Sequence, residues 1–523
     1  MKRITQCLQI ALLMFGGAFL STAFANDNNS PTHQSAPSQI STTTSIQPSE
    51  AFPKNSLPAS IREKMSQISL LDNQISIWVK PVNGQMPIID FNSEVLRTPA
   101  STQKLVTTAI ALDKLGSQYH WFTYIYQKGL VVNQTLYGDI IIKAQGDPSM
   151  THERLKAMLG YLPKKGIRHI NGNIIIDNSA FSGVARDSNA FDGHGARAYN
   201  AQPNAFLVNF GTLEIDMLPS GQTFNTGQLD KFGKPVLGFM PTDNSQIAVQ
   251  VLPPLSDFKF PKTLPAQGGA CDSEPNFRLT ISELLPTGQA KTTCGRMTQW
   301  INFGDGDVFA VKAVKGMWQK YDPNFTGKVY TVSSPQTLVG LPIISYPSQN
   351  LASQIYQINQ FSNNVMTEQV ALSLPLTVNE KISTYPKTFG YINNWWQQHL
   401  KSPPPIMSRA SGLCRDCQIS VYAMGELLDY MYRQPEFEIF KASLPIAGQT
   451  GTMAKLAKRN HLNPAIGRAF IKTGTLDDVT SMAGYVLDTK GNMYVVVGMI
   501  NAPSASGRAV GVLDEMLAVV ASF

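Results

Sequence analysis

Residues 98–116 read TPASTQKLVTTAIALDKLG. The pattern predicts a helix from about Thr102 to Leu115, with Gly116 as its stop signal. At the start of a helix, positions three apart share a face, so Ser101 and Lys104 are neighbours. Ser101 also stands where backbone N–H groups point outward. A serine hydroxyl becomes a nucleophile when a base takes its proton, and an uncharged lysine can serve. Keeping that lysine uncharged near neutrality means lowering its pKa from about 10.4 by about 3, or about 4–5 kcal/mol against protonation. Burial and a second cation are the usual means. Taken alone, the spacing fits a capped helix with a solvated lysine better. Ser256-Asp257-Phe258-Lys259 has the same spacing, but follows Pro253 and Pro254 and precedes no helical run.

Two further motifs change the weight of the first. Ser362-Asn363-Asn364 lies between two helical stretches, where a short turn presents Ser362 and Asn364 side by side. Ser348-Gln349-Asn350 has the same form, but follows a proline, precedes a helix and reads as a cap. Lys472-Thr473-Gly474 closes an apolar strand and is the only KTG in the chain. A glycine there lets a substrate backbone approach closely. The lysine and threonine offer a cation and a hydroxyl to a carboxylate. Each motif is commonplace, but their order and their contexts of helix, inter-helix turn and terminal strand are much less so.

The ends of the chain set the context. Lys2 and Arg3 precede the apolar run IALLMFGGAFL, and Ala23-Phe24-Ala25 follows, so residues 1–25 read as a secretory signal too short to span a bilayer. Residues 26–56 are polar, Pro/Ser/Thr-rich and read as a disordered tether. Losing Lys2 and Arg3 lowers the formal charge from +7 to +5, with no dense basic run, so a nucleic-acid partner is not expected. The last stretch, SGRAVGVLDEMLAVVASF, has an apolar face of Leu513, Met516, Leu517 and Val520 but no lysines opposite. It reads as a core helix, and no transmembrane anchor is expected in the mature chain. Four cysteines remain after the leader, and an even count in an oxidising compartment suggests Cys271–Cys294 and Cys414–Cys417 disulfides. The first closes a loop of roughly two dozen residues, worth about 3 kcal/mol. The seven histidines are scattered without HExxH or a Cys/His cluster, so no metal and no cofactor is expected.

Between the ends, QISIWVKPV and QMPIIDFN around Asn83-Gly84 read as two strands joined by a tight turn. From about 119 to 340, short runs such as TLYGDIIIKAQG, NGNIIIDNSAF and DVFAVKAV alternate with turn residues and read as a β-rich insertion of one or two subdomains. Helical patterns then return, and the chain closes with strands RAFIKT, SMAGYVLD and MYVVVGMI. Strand and helix at the front with three strands at the back give one α/β domain, split into 57–118 and 341–523. Its antiparallel sheet is expected to be flanked by helices.

The trio SxxK, SxN and KTG is shared by penicillin-binding proteins and class A β-lactamases. From about 57 to 523 the chain resembles the D-alanyl-D-alanine carboxypeptidase/endopeptidase family typified by penicillin-binding protein 4. GDIIIKAQGDPSM, INGNIIIDNSAFSG, AYNAQPNAFLVNFGT, FSNNVMTEQVALSL, SLPIAGQTGTM and FIKTGTLDDV support it, as does the long gap between the first two motifs. The resemblance implies a periplasmic serine enzyme, free of metal and organic cofactor, acting on peptidoglycan stem peptides and trapped by β-lactams. It implies that Ser101 attacks the carbonyl between two D-alanines and that Lys104 takes its proton. Ser362 and Asn364 then relay protons and hold the substrate amide. Lys472 and Thr473 grip the terminal carboxylate, with Lys472 the cation beside Lys104, and the N–H groups of Ser101 and Thr475 form an oxyanion hole past Gly474. The family's usual Asp-Gly-Ser-Gly-Leu-Ser-Arg is here Arg409-Ala410-Ser411-Gly412-Leu413-Cys414-Arg415, which keeps Arg415 for the cleft but exchanges an acid for a cation. Asp477 and Asp192 are candidates to meet the substrate's amino group. The alternatives are a β-lactamase and a non-catalytic cell-wall-binding scaffold. The balance of carboxypeptidase against endopeptidase action, and whether the chain forms a homodimer, are left open.

Overall fold

The computed structural model describes residues 51–523, apart from 219–222, 230–234, 240–245, 272–274, 337, 339 and 379. The expected leader, 1–25, and residues 26–50 of the expected tether lie outside the described residues. Residues 51–56, assigned to that tether, are held: Phe52 N donates to Ile88 O and Asn55 N to Asp90 O. Half-buried Phe52 also packs against the apolar core beneath them, while the rest of the stretch stays largely exposed.

Both ends of the chain build one antiparallel sheet. Its strands run in the order Ile89–Phe91, Ile75–Pro81, Met493–Asn501, Val479–Leu487, Ala469–Leu476. Strand alternation sends Trp78, Val495, Val497 and Met499 to one face, and Ile75, Ile77, Val79, Val496 and Ile500 to the other. Helices Lys104–Leu115 and Val421–Tyr432 cover the first face. Helices Ala59–Gln67 and Val510–Ala521 cover the second. With both faces buried, the strands read as nearly continuous apolar runs, and the terminal helix is a core element. Among the described residues, no helix is long and apolar enough to cross a membrane.

Two sequence expectations give way here. The first two strands are joined by residues 82–88, a longer link than the expected tight turn: their pairing ends at Val79 and Ile89, and a turn in which Gly84 N donates to Pro81 O is followed by further irregular residues. The run DVFAVKAV is not a strand but part of helix Gly306–Trp318. Asp305 caps it by accepting from the Asp307 and Val308 amides, and Phe309, Ala310, Ala313, Val314 and Met317 bury one stripe.

The middle of the chain carries separate sheets. One takes in Phe122–Val132, Thr135–Lys143, Ile174–Asp177 and Val329–Val332, and also Ile344–Pro347, beyond residue 340. Another centres on Thr212–Leu218 between Gln246–Leu252 and Met297–Asn302. Cys271 is bonded to Cys294, with their Cα atoms 4.9 Å apart.

Helix Val421–Tyr432 lies so close to the central sheet that a Cβ on Gly425 would stand 2.2 Å from the ring of buried Trp78. Gly425→Ala is expected to destabilise by about 2 kcal/mol through overpacking, although alanine favours a helix by about 1 kcal/mol. A lowered urea midpoint at unchanged m-value checks this.

Candidate active site

Ser101 does not begin the α-helix. It sits in a 3₁₀ turn, Ala100–Gln103, that runs straight into helix Lys104–Leu115. In a 3₁₀ turn residues three apart eclipse, which sets Lys104 Nζ 2.9 Å from Ser101 Oγ. Ala100 just before is left-handed at φ 49°, an uncommon conformation for a residue with a Cβ. A Cβ on Gly412 would stand 1.9 Å from Ala100 O, so segment 411–412 lies directly on this turn.

Lys104 is fully buried. Its Nζ meets Asn364 Oδ1 at 2.7 Å and Ser411 O at 2.6 Å as well as the Ser101 hydroxyl. The orientation of the Asn364 amide is fixed by its own Nδ2, which donates to Tyr199 O at 3.0 Å. These two acceptors take two N–H groups; in the neutral form of the amine the lone pair then faces the serine O–H, whereas the ammonium donates to all three. Burial lowers the Lys104 pKa to about 7, against a smaller opposing pull from the Glu368 carboxylate.

Ser362 ends helix Leu351–Phe361 in a left-handed conformation, φ 58°, and Asn364 opens the next helix. Lys472 Nζ donates to Ser362 Oγ at 2.9 Å and to Thr473 O at 2.8 Å. Lys472 is fully buried, and its pKa is held well below the usual lysine value, first by burial and then by the charge of Lys104. Burial, rather than a cation on Lys472, is therefore the leading cause of the low Lys104 pKa.

The KTG strand is at the edge of its sheet. Its first half is covered: Ile471 N donates to Pro445 O and Ala447 N to Ala469 O. By the two-residue alternation of a strand, Thr473 and Thr475 direct their backbone groups to that same outer side. There the strand abuts the turn that carries Ser101. A Cβ on Gly474 would stand 2.6 Å from Pro99 O and 2.9 Å from Ser101 N. Ser481 Oγ ties the turn to the neighbouring strand by donating to Pro99 O at 2.6 Å.

The remaining candidates are placed less centrally. Thr473 Oγ1 pairs with Thr452 Oγ1 at 2.8 Å. Arg415 pairs with Asp478 at 2.8 Å and lies over the Phe191 ring, so its side chain is already engaged. Asp192 accepts from Tyr199 Oη, Asn200 Nδ2 and the His194 amide. Asp477 is exposed and gives its backbone carbonyl to Ser506 N. Cys414 is bonded to Cys417 beside the Ser411 segment.

The profile of the D-Ala-D-Ala carboxypeptidase 3 (S13) family matches residues 57–518. The chain belongs to that family. It is a serine-type D-Ala-D-Ala carboxypeptidase, a penicillin-binding hydrolase. It is 22% identical to the D-alanyl-D-alanine carboxypeptidase DacB of Haemophilus influenzae over 441 residues, covering 83% of this chain and 86% of that protein. It is also 22% identical to a D-alanyl-D-alanine carboxypeptidase of Actinomadura, over 76% of this chain and 72% of that one. In fold it is similar to the crystal structure of penicillin binding protein 4 from H. influenzae, at TM-score 0.70 and 19% identity, over 89% of this chain and all of that one. The fold is thus the α/β DD-peptidase fold.

Sequence reasoning passed over Tyr199, Thr452 and Glu368. Tyr199 and Thr452 act through contacts between segments far apart in the chain, which carry no local signature. Glu368 had one: it falls four residues after Asn364, on the same helical face.

Gly474→Ala is expected to push the Ser101 turn aside and slow acylation by a fluorescent penicillin about 100-fold, without loss of the folded state. Stopped-flow labelling beside a thermal melt checks this.

Proposed function

We propose that Ser101 is the nucleophile and Lys104 its base in a periplasmic enzyme acting on the D-alanyl-D-alanine end of peptidoglycan stem peptides. The observation that carries this is the set of three contacts at one buried amine: two pure acceptors and one hydroxyl. Ser101 Oγ attacks the carbonyl between the two D-alanines, and Lys104 accepts its proton. The Ser101 amide, with that of Thr475 on the outer side of the KTG strand, stabilises the oxyanion, a contribution of about 3–4 kcal/mol per donor. Ser362, bonded to Lys472, passes its hydroxyl proton to the leaving D-alanine nitrogen and takes another from the Lys104 ammonium, which returns to the neutral amine. Water then hydrolyses the acyl-enzyme by the reverse sequence of proton transfers. Lys472 and Thr473 receive the terminal carboxylate, whose charge restores the proton that burial removes from Lys472.

The periplasmic assignment rests on the leader-like N-terminus and on two disulfides, which persist in oxidising compartments. The loop carrying Asp192 and Tyr199 forms one wall beside Asn364 and Arg415. Digestion of purified muropeptides with product analysis separates release of terminal D-alanine from cleavage of cross-links.

Fluorescent penicillin is expected to label the wild type stably and Ser101→Ala not at all. Rapid loss of label from the wild type would point to a β-lactamase, and no label to a scaffold. Because the base must be uncharged, acylation is expected to rise with pH below about 7 and level off above it, following the low pKa of Lys104. The second-order labelling rate measured across pH checks this, and a flat profile would contradict the base assignment.

A further inference from the structure

The carbonyl of Ser411 is one of the two acceptors that keep the Lys104 lone pair turned towards Ser101. What holds that carbonyl in place is a carboxylate. Glu368, 3% exposed, accepts from Ser411 N at 2.9 Å through Oε1. Its Oε2 accepts from Ala410 N at 3.2 Å and from Tyr385 Oη at 3.0 Å. Three donors converge on two oxygens, a demand that a group with acceptor oxygens alone meets and a glutamine does not.

The chain of contacts continues outward. Tyr385 Oη accepts from Arg409 Nη1 at 2.9 Å, and Arg409 Nη2 donates to Gln202 Oε1 at 3.1 Å. Arg186 lies over the Tyr385 ring and donates to Ser408 O. Burial, and next the Glu368 charge, push the Tyr385 phenol up, so it stays an O–H donor to the carboxylate. Arg409, the cation that stands where an acid is usual, thereby balances Glu368 through one phenol. Gln103 Nε2 also donates to Arg409 O at 2.6 Å, which binds the segment to the nucleophile turn.

Electrostatics alone argue against an acid here. Its charge favours the protonated form of Lys104, which is the wrong form for a base. The charged groups around the amine are Glu368, Lys472 and, through Tyr385, Arg409. What the carboxylate offers against that cost is geometric: it holds the Ala410 and Ser411 amides.

We propose that Glu368 is a positioning residue for this reaction, fixing the Ser411 carbonyl on Lys104 through the Ala410 and Ser411 amides. The Tyr385–Arg409–Gln202 chain carries that hold to the 186–204 loop. The inference rests on Lys104 as the base.

The test is the pH profile of fluorescent-penicillin acylation for the full mature chain and its Glu368→Gln variant, with folding followed by circular dichroism. Glutamine removes the charge and places an N–H against the Ala410 and Tyr385 donors. The expected result is a folded protein whose plateau rate is about tenfold lower and whose ascending limb lies at lower pH than in the wild type. The lost charge lowers the limb whatever Glu368 does, whereas a merely structural glutamate would leave the plateau, the rate with Lys104 deprotonated, in place. An unmoved or upward-moved limb, or a plateau within about twofold of wild type, overturns the proposal. Should Glu368→Gln fail to fold, Glu368→Asp decides, since it keeps the charge but draws it back by one methylene. An unmoved limb with a lowered plateau supports the proposal, and a wild-type plateau overturns it. Lys104→Ala acylated at the wild-type rate would sink the base assignment itself, and this inference with it.

Discussion

One amine with three neighbours organises this molecule. Lys104 is fully buried, and its surroundings suit an uncharged nitrogen: two acceptors for two N–H groups and a hydroxyl for the lone pair. The unfolded chain binds a proton there up to about pH 10.4, whereas the folded chain releases it near 7. Between those values stability rises with pH, and at neutrality holding the amine bare costs about 4–5 kcal/mol. The rest of the fold must offset that cost.

The three contacts come from distant places. Ser101 is on the same turn as the lysine, Asn364 begins a helix deep in the second half of the chain, and Ser411 lies on a segment clamped by Glu368 and the Cys414–Cys417 bond. Close backbone approach brings them together. Gly412 and Gly474 lie against the Ala100–Ser101 turn at distances that leave no room for a side chain. Ala100, just before Ser101, and Ser362, bonded to Lys472, adopt left-handed conformations. Such strain persists where the surrounding structure over-determines it, and here the sheet edge and the covering helices do so.

The middle of the chain takes part through few residues. Tyr199 gives its carbonyl to Asn364, and Gln202 receives Arg409, so one loop reaches both the SxN turn and the lysine's clamp. The exchange of an acid for Arg409 looked, in one dimension, like a change in the cleft. In three dimensions the half-buried side chain turns towards Tyr385, whose hydroxyl meets the buried Glu368 carboxylate.

Much was legible in the residue order because it rests on local periodicity. Helix Lys104–Leu115, the closing strands and the spacing of Ser101 to Lys104 follow from short-range repeats, and the SxN and KTG motifs stand out by their order. Where local signals competed, the reading failed: Val-rich DVFAVKAV became a helix because Asp305 caps it and one stripe finds a core. A secretory leader and tether were inferred from composition. The low charge on two lysines, the pairing of Glu368 with the Ser411 segment and the engagement of Arg415 by Asp478 and Phe191 were decided by tertiary structure alone. Residue order sets which groups are available, but burial and the direction of a hydrogen bond are properties of the packed surroundings, and those are assembled from segments that one-dimensional spacing does not relate.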